Sequence, residues 1–283
     1  MPGIARRRKS LRPALPRILL RMTQRRLAVV TGASSGIGAA TAAVLAADGW
    51  RVVLVARGAE GLGAVYEGIR TAGGDAVVEP ADAADGEAMV ALAERVQAEH
   101  GVPEAVVNSA GAGVWRYIEE TTPAEATAMI GAPFLAAFHT THAFMPGMLA
   151  QRRGVFVHVG SPASVVPWPG ATAYTSSRWA LRGLHEALRQ DLRGTGLHTS
   201  HVMFGPVASG YWDNNPGTFE AAPRIGLRLL RTLEPPECGA VVLDVIRRPR
   251  PEVLHPPLLR ALRWFPHPVR RWTVAQSSPV RRA

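Results

Sequence analysis

The chain is 283 residues long, 47% hydrophobic and 19% charged, which is enough for one large domain with its own core. No apolar run reaches the ~18–20 residues that cross a bilayer, the stretch from Leu11 to Leu20 is broken by Arg12, Pro13, Pro16 and Arg17 and is no secretory core, and the single Cys238 rules out an internal disulfide and points to a reducing cytosol. The net charge of +10 sits at the two ends: residues 1–26 hold nine basic side chains and no acid, and residues 247–283 hold nine with Glu252 alone against them, so the body between is acidic. A nucleic-acid-binding domain would carry its charge on a folded face with a reading element, and none is expected here.

Residues 1–21 read as a basic disordered tail, or as sequence ahead of a natural start at Met22 in MTQRRLAVVTG. Contact with an anionic membrane or nucleic acid is the other reading of that run. Apolar, β-rich runs then alternate with helical patterns. LAVVT (27–31) is a strand, and a helix follows from Gly36 to Asp48, stopped by Gly49. RVVLVA (51–56) is the second strand, with an amphipathic helix over 59–72. DAVVE (75–79) is the third, with a helix over 85–100. A fourth strand ends at Asn108 and helical segments span 123–151. VFVHVG (155–160) is the fifth, followed by a helix over 173–194. LHTSHVMF (197–204) and PEVLH (251–255) complete the set. The strands are near-continuous Val/Leu runs, as suits a parallel sheet covered on both faces. Alternation with helices predicts an α/β, doubly wound sheet of about seven strands in a single domain. Its ligand crevice should lie beyond the carboxyl ends of the strands.

The first strand runs into Thr31–Gly38, TGASSGIG. Gly32, Gly36 and Gly38 allow a tight turn and close backbone approach. The helix that starts there aims free N–H groups and its positive dipole end at an anion. A glycine trio between strand and helix is the context a dinucleotide loop requires. Further on, Ser161 ends the fifth strand, and Tyr174 and Arg178 stand one turn apart on one helix face. A fixed cation beside a phenol favours phenolate, so Tyr174 could serve as general acid or base on an alcohol or carbonyl. His139 and His142 lie three apart in HTTH, but no Cys, Glu or His cluster completes a zinc site, and no metal is expected.

The spacing G-x-x-x-G-x-G, with the motifs that follow it in order, resembles the short-chain dehydrogenase/reductase family over roughly residues 25–250. The resemblance implies a Rossmann-type catalytic domain, here 22–255, with a lid near 206–232 and an apolar, basic extension over 256–283. It implies cofactor contacts from Gly32, Ser34, Ser35, Gly36, Ile37 and Gly38. Asp82 matches the adenine-side acid, with Ala83 where a larger apolar residue is common. Asn108, Ser109, Ala110 and Gly111 match the turn beneath the adenosine. Gly205, Val207 and Ser209 match the loop against the nicotinamide amide, Phe204 replacing its usual proline. At the end of the second strand Arg57 could pair with a 2′-phosphate where an acid would bind the ribose of NAD, which favours NADP(H).

The family's Ser…Tyr-x-x-x-Lys set corresponds to Ser161, Tyr174 and Arg178, so Ser161 would hold the substrate oxygen and Arg178 the nicotinamide ribose. Two departures stand out. Arginine cannot readily release a proton, and the family's helix asparagine falls on Pro133. The resemblance therefore implies an NADP(H)-dependent oxidoreductase acting on a carbonyl/alcohol pair, with slower proton recycling; a cofactor-binding sensor or scaffold with weak or lost catalysis is the alternative. Trp115, Trp168, Tyr211 and Trp212 fall on segments facing the crevice and suit an apolar small-molecule substrate. The helices holding His139 and Tyr174 are those the family uses to dimerise, so a homodimer or homotetramer is expected in the cytoplasm. The stretch LLRALRWFPHPVRRW (258–272) could lie on an anionic membrane surface or pack on the protein itself.

Overall fold

The computed structural model describes residues 25–111, 113–167, 169–211, 215 and 231–260. Seven parallel strands form one sheet in the order β3-β2-β1-β4-β5-β6-β7. In chain order these are β1 (Leu27–Thr31), β2 (Arg51–Ala56), β3 (Asp75–Pro80), β4 (Ala105–Asn108), β5 (Gly154–Gly160), β6 (Leu197–Phe204) and β7 (Glu252–His255). The helices between them are α1 (Gly36–Ala47), α2 (Ala59–Thr71), α3 (Gly86–His100), α4 (Pro123–Ile130), α5 (Ala136–Gln151), α6 (Thr172–Asp191) and α7 (Pro235–Arg247). The strand order reverses between β1 and β4. There the crossovers leave the sheet in opposite directions and open a crevice at the strand ends.

Every central strand is buried on both faces, which is why its sequence does not alternate. Ala28, Val30, Val52, Leu54, Val155 and Val157 join the layer that α1 and α7 cover. Leu27, Val29, Val53, Val55, Val106 and Phe156 join the opposite layer with Met89, Leu92, Phe144 and Met148 from α3 and α5. Each fully buried aliphatic side chain contributes about 1.5–3 kcal/mol, so both layers are needed to fix the sheet. The register is uninterrupted from Leu27↔Arg51 to Thr31↔Val55 on one side of β1 and from Ala28↔Ala105 to Thr31↔Asn108 on the other.

Two features were outside the sequence expectation. The helical segments expected over 123–151 are α4 and α5, and what joins them is a π-turn at Gly131–Leu135. Pro133, buried within the π-turn, has no N–H to continue an α-ladder, and its ring crowds the preceding turn. The backbone answers by widening, and the Ala136 N–H reaches the carbonyl of Gly131, five residues back. The other feature is α7. It starts at Pro235 after the extended Glu234, and its buried stripe of Cys238, Val242, Val245 and Ile246 packs against α1. Gly239 of α7 lies so close to α1 that a Cβ would sit 2.9 Å from the Ala40 carbonyl oxygen.

The basic segment 1–21 lies outside the described residues, as do most of the expected lid and all of the C-terminal extension past Arg260. The described start of that extension, a short 3₁₀ turn at Pro257–Arg260, packs Leu259 against Met203 and Leu254. Among the described residues no helix is long and apolar enough to cross a membrane.

Candidate active site

The loop from Thr31 to Gly38 leaves β1 at the switch point, and its glycines are fixed by sterics. Gly32 has φ +65, and a Cβ there would meet the backbone of Ser109 and Ala110 at 2.8 Å. At Gly38 a Cβ would fall 2.1 Å from the Gly32 carbonyl oxygen. Gly38→Ala should therefore lose cofactor binding and several degrees of melting temperature, read by fluorescence titration and thermal unfolding, because the contact is with backbone and cannot yield. Ser35 is the N-cap of α1 in extended conformation, and its side chain makes no capping bond. The first-turn N–H groups of α1 are thus left facing the crevice, where an anion would satisfy them. Ser34 and Ile37 flank the turn half-buried, and Ile37 packs on the core.

The opposite wall of the cradle is the β4 turn. The Thr31 hydroxyl accepts from the N–H groups of Ser109 and Ala110, each at 3.2 Å, tying β1 to that turn. Asn108 is buried, and its Nδ2 donates to Thr141 Oγ1 at 3.2 Å and faces His158 Nδ1 at 3.2 Å. Its side chain therefore serves as an internal pin. Asp82 is exposed after β3, and one carboxylate oxygen accepts from the Ala84 N–H at 3.0 Å, with Ala83 buried beside it. Arg57 is exposed at the end of β2. Across the cradle the loop after β6 comes back over the glycines. Gly205 donates to the His255 carbonyl, Val207 bridges to Leu233, and a Cβ on Gly36 would meet Ser209 at 3.6 Å.

Ser161 follows β5 and caps a short 3₁₀ turn, its Oγ accepting from the Ala163 N–H at 3.3 Å. Tyr174 and Arg178 belong to the buried stripe of α6 with Ser177, Leu181 and His185. Ala163, two residues past Ser161, packs against Tyr174 together with Ala171, Trp115 and Tyr211. The Trp115 and Tyr174 rings lie 5.5 Å apart. Arg178 is 7% exposed, and its guanidinium carbon stands 4.8 Å from the centre of the Tyr174 ring. A Cβ on Gly111 would lie 3.3 Å from Arg178 Nη2, so the guanidinium reaches from Tyr174 to the β4 turn. Burial pushes the Tyr211 phenol above its ordinary value, and the neighbouring Tyr174 pushes it further the same way.

Trp168 and Trp212 lie outside the described residues, as does Ala112. Among the described residues no group of three His, Cys, Asp or Glu side chains is placed to hold a metal. His139 and His142 instead line a groove between α3 and α5 with Glu87, Val90, Glu94 and Phe138.

Sequence reading missed a set of buried imidazoles behind the site. His158 on β5 and His201 on β6 are register partners, and His185 of α6 closes over them. Ring centres are 6.2 Å apart for His158 and His185 and 5.7 Å apart for His185 and His201. Burial lowers all three, His158 to about 3 and His185 to about 4. No motif links them; only the strand register does.

Comparison with known proteins places this geometry in a family. The short chain dehydrogenase family model matches residues 26–217. An uncharacterized oxidoreductase of Staphylococcus saprophyticus is 33% identical over 185 residues, covering 65% of this chain and 79% of that protein. Among solved structures, a metagenomic short-chain oxidoreductase in complex with NADP shares 34% identity at a TM-score of 0.69, covering 81% of this chain and 96% of the other. A Burkholderia phymatum family member in complex with NAD shares the fold at a TM-score of 0.78 and 24% identity, over 92% of this chain and 99% of the other. The chain belongs to the short-chain dehydrogenase family. It is an oxidoreductase of the class that interconverts CH–OH and C=O with a nicotinamide cofactor.

Proposed function

We propose that the chain is an NADP(H)-dependent oxidoreductase acting on the carbonyl/alcohol pair of an apolar small molecule. The observation that carries this reading is the grouping of Tyr174, the Arg178 guanidinium over its ring and the Ser161 turn beside the glycine cradle. The residues present fit a dinucleotide. The cradle has no room for side chains at Gly32 and Gly38, and the open N-terminus of α1 suits a pyrophosphate. Gly32, Ser34, Ser35, Gly36, Ile37 and Gly38 would hold the phosphates, and Asp82, Ala83, Asn108, Ala110 and Gly111 would line the adenosine side. Gly205, Val207 and Ser209 would border the nicotinamide, which, when bound, supplies or accepts the hydride.

In this reading the Ser161 hydroxyl, whose oxygen already accepts from a backbone N–H, donates to the substrate oxygen. Tyr174 gives its proton to that oxygen during reduction and takes it back during oxidation. Arg178 keeps a permanent positive charge beside the phenol and donates to the cofactor ribose. Trp115 and Tyr211 give the substrate an apolar wall with few polar groups. Exposed Phe138 on α5 and Trp179 on α6 support assembly of copies through those helices as a homodimer or homotetramer.

The preference for NADP rests on Arg57, and the NADP-bound relative supports it. Arg57→Asp should weaken NADPH binding about 10–100-fold, as expected for one charge-assisted contact replaced by repulsion. NADH binding should change little. Fluorescence titration of both nucleotides checks this, and an equal loss for both would remove the 2′-phosphate assignment. A second reading, an NADP-binding protein with weak catalysis, is favoured by Pro133 and Arg178. Tight NADPH binding without turnover across a broad panel of apolar aldehydes and ketones would select it.

A further inference from the structure

Ser161 and Tyr174 come to the site on different elements, one from the end of β5 and the other from the first turn of α6. Residues 165–171 connect them, and a loop alone does not fix one hydroxyl against the other. Two side chains further along α6 reach back to the Ser161 turn. The Trp179 indole N–H donates to the Ala163 carbonyl at 2.9 Å. One helical turn on, Arg182 Nη1 donates to the Ser164 carbonyl at 3.1 Å, and its Nη2 forms an ion pair with Glu252 Oε1 of β7 at 3.4 Å. The last carbonyls of a helical turn have no partner within it. In the short 3₁₀ turn of Pro162–Ser164 those two carbonyls are taken up by α6. The same turn carries the Ser161 hydroxyl. The Ala163 N–H donates to Ser161 Oγ at 3.3 Å, while the carbonyl of that residue accepts from Trp179. Ser164 is tied back too, its N–H and its hydroxyl donating to the Ser161 carbonyl at 3.0 and 2.7 Å.

We propose that Trp179 and Arg182 are positioning residues, which clamp the Ser161 turn onto α6 and so hold the Ser161 hydroxyl at a fixed place relative to Tyr174. This rests on Ser161 and Tyr174 acting together in the proposed reaction. Both side chains work through backbone carbonyls and not on the reacting atoms. Tyr174 and Arg178 lie on the buried stripe of α6, and Trp179 and Arg182 follow on the same helix, so one rigid element carries the phenol and grips the hydroxyl's support. The Ser161–Ser164 turn is buried throughout, which leaves no solvent to replace a lost donor. The guanidinium fork lets Arg182 hold a carbonyl with one nitrogen and a carboxylate with the other, so the turn is braced against β7 as well. A misplacement of about 1 Å at a reacting group can cost on the order of 10²-fold in rate. The clamp therefore acts on kcat, whereas the glycine cradle that takes the dinucleotide lies on β1 and α1.

The test is a double-mutant cycle on the full chain, with NADPH and an apolar ketone. Trp179→Phe keeps an aromatic ring and removes the donor; Arg182→Met removes the fork. Each should lower kcat about 10-fold, with NADPH affinity within about twofold of the parent. Placed on Ser161→Ala, the same changes should cost no more than about twofold further, because the hydroxyl they position is gone. A merely structural role would give the same loss in both backgrounds, and that result overturns the proposal. So does an undiminished kcat in Trp179→Phe, the variant that carries the test if Arg182→Met does not fold. A second measurement needs neither cofactor nor turnover. In the free protein the Ser164 and Val165 amides donate to the Ser161 and Pro162 carbonyls at 3.0 and 2.9 Å, and they should exchange with deuterium about tenfold faster in Trp179→Phe. Unchanged exchange there also overturns the clamp. An inactive parent, or turnover indifferent to Ser161→Ala, is a different outcome. It would refute the reaction assigned to Ser161 and this role with it.

Discussion

Tyr174→Phe should lower NADPH-dependent carbonyl reduction by about 10²–10⁴-fold, the range for loss of a positioned general acid. NADPH affinity should stay within a few-fold, because the glycine cradle and the α1 N-terminus are untouched. The phenol ring itself is buried against Trp115, Ala163 and Ala171, and phenylalanine preserves that packing, so the melting temperature should scarcely move. Steady-state kinetics with a parallel thermal melt separates the two effects. Turnover indifferent to this substitution would remove the acid/base assignment altogether. Arg178→Lys is the companion variant. It keeps a cation near the ring and adds a group that can exchange protons, so it should raise kcat while leaving the Tyr174→Phe defect unrelieved in the double variant.

That companion result depends on what the two departures from the family pattern do together. Arg178 is an undiminished charge that cannot pass a proton onward. Pro133 brings neither an amide side chain nor an N–H, and the backbone around it has widened into a π-turn. Chemistry at Tyr174 needs only a proton on the phenol at the moment of hydride transfer. Resupply is a separate step, and both departures bear on resupply. Slow recycling with intact chemistry would appear as a burst of product followed by a slower steady state. A lesion in the chemistry itself would show no burst.

The strands were legible because each is buried on both faces. A run such as RVVLVA has no polar partner to hide, and its bounds of Arg51–Ala56 match the expectation. The doubly wound, parallel class of the sheet followed from the βα alternation and the handedness of crossovers, whereas the strand order itself comes from the structure. The cradle was legible because its glycines answer to steric limits that only glycine meets, as the 2.1 Å contact at Gly38 illustrates. Helix α7 was passed over although Cys238, Val242, Val245 and Ile246 repeat at helical spacing; Pro235 and Pro236 stand in its first turn, where a missing N–H costs nothing. The π-turn was invisible because its cause is one proline inside an otherwise helical pattern. Tyr211 was expected as a substrate contact from its place in the chain. Its hydrogen bond from Trp115 joins residues 96 apart, a distance no local pattern spans.

Lowering the pH from 7 to 5 should destabilise the fold steeply, and the buried imidazoles are the reason. His158 is fully buried, with Nδ1 facing the amide donor of Asn108 at 3.2 Å, so adding a proton there would set donor against donor. His185 pairs its Nδ1 with Thr199 Oγ1 at 3.1 Å. Arg182 and Arg178 oppose charge on His201, Arg189 and Arg182 oppose it on His185, and Glu186 and the Pro251 backbone favour it there without outweighing burial. All three titrate in the folded protein below the ordinary value near 6.5, at about 3 for His158 and about 4 for His185. Above pH 6.5 both folded and unfolded chains hold neutral imidazoles, and stability does not depend on them. Below it the unfolded chain takes up protons that the folded one refuses, so stability drains from pH 6.5 down to the folded values. The slope approaches about 1.4 kcal/mol per pH unit for each histidine. Between pH 6.5 and 5 carboxylates contribute little, so denaturant melts in that window read the imidazoles directly. His158→Asn and His185→Gln will each change stability at pH 7 through packing, but the informative quantity is the pH-dependent loss within each variant, which should shrink by roughly a third if three groups share the slope. A parent protein equally stable at pH 7 and pH 5 would mean that the three rings take up protons in place, which the closed packing of β5, β6 and α6 around them does not allow.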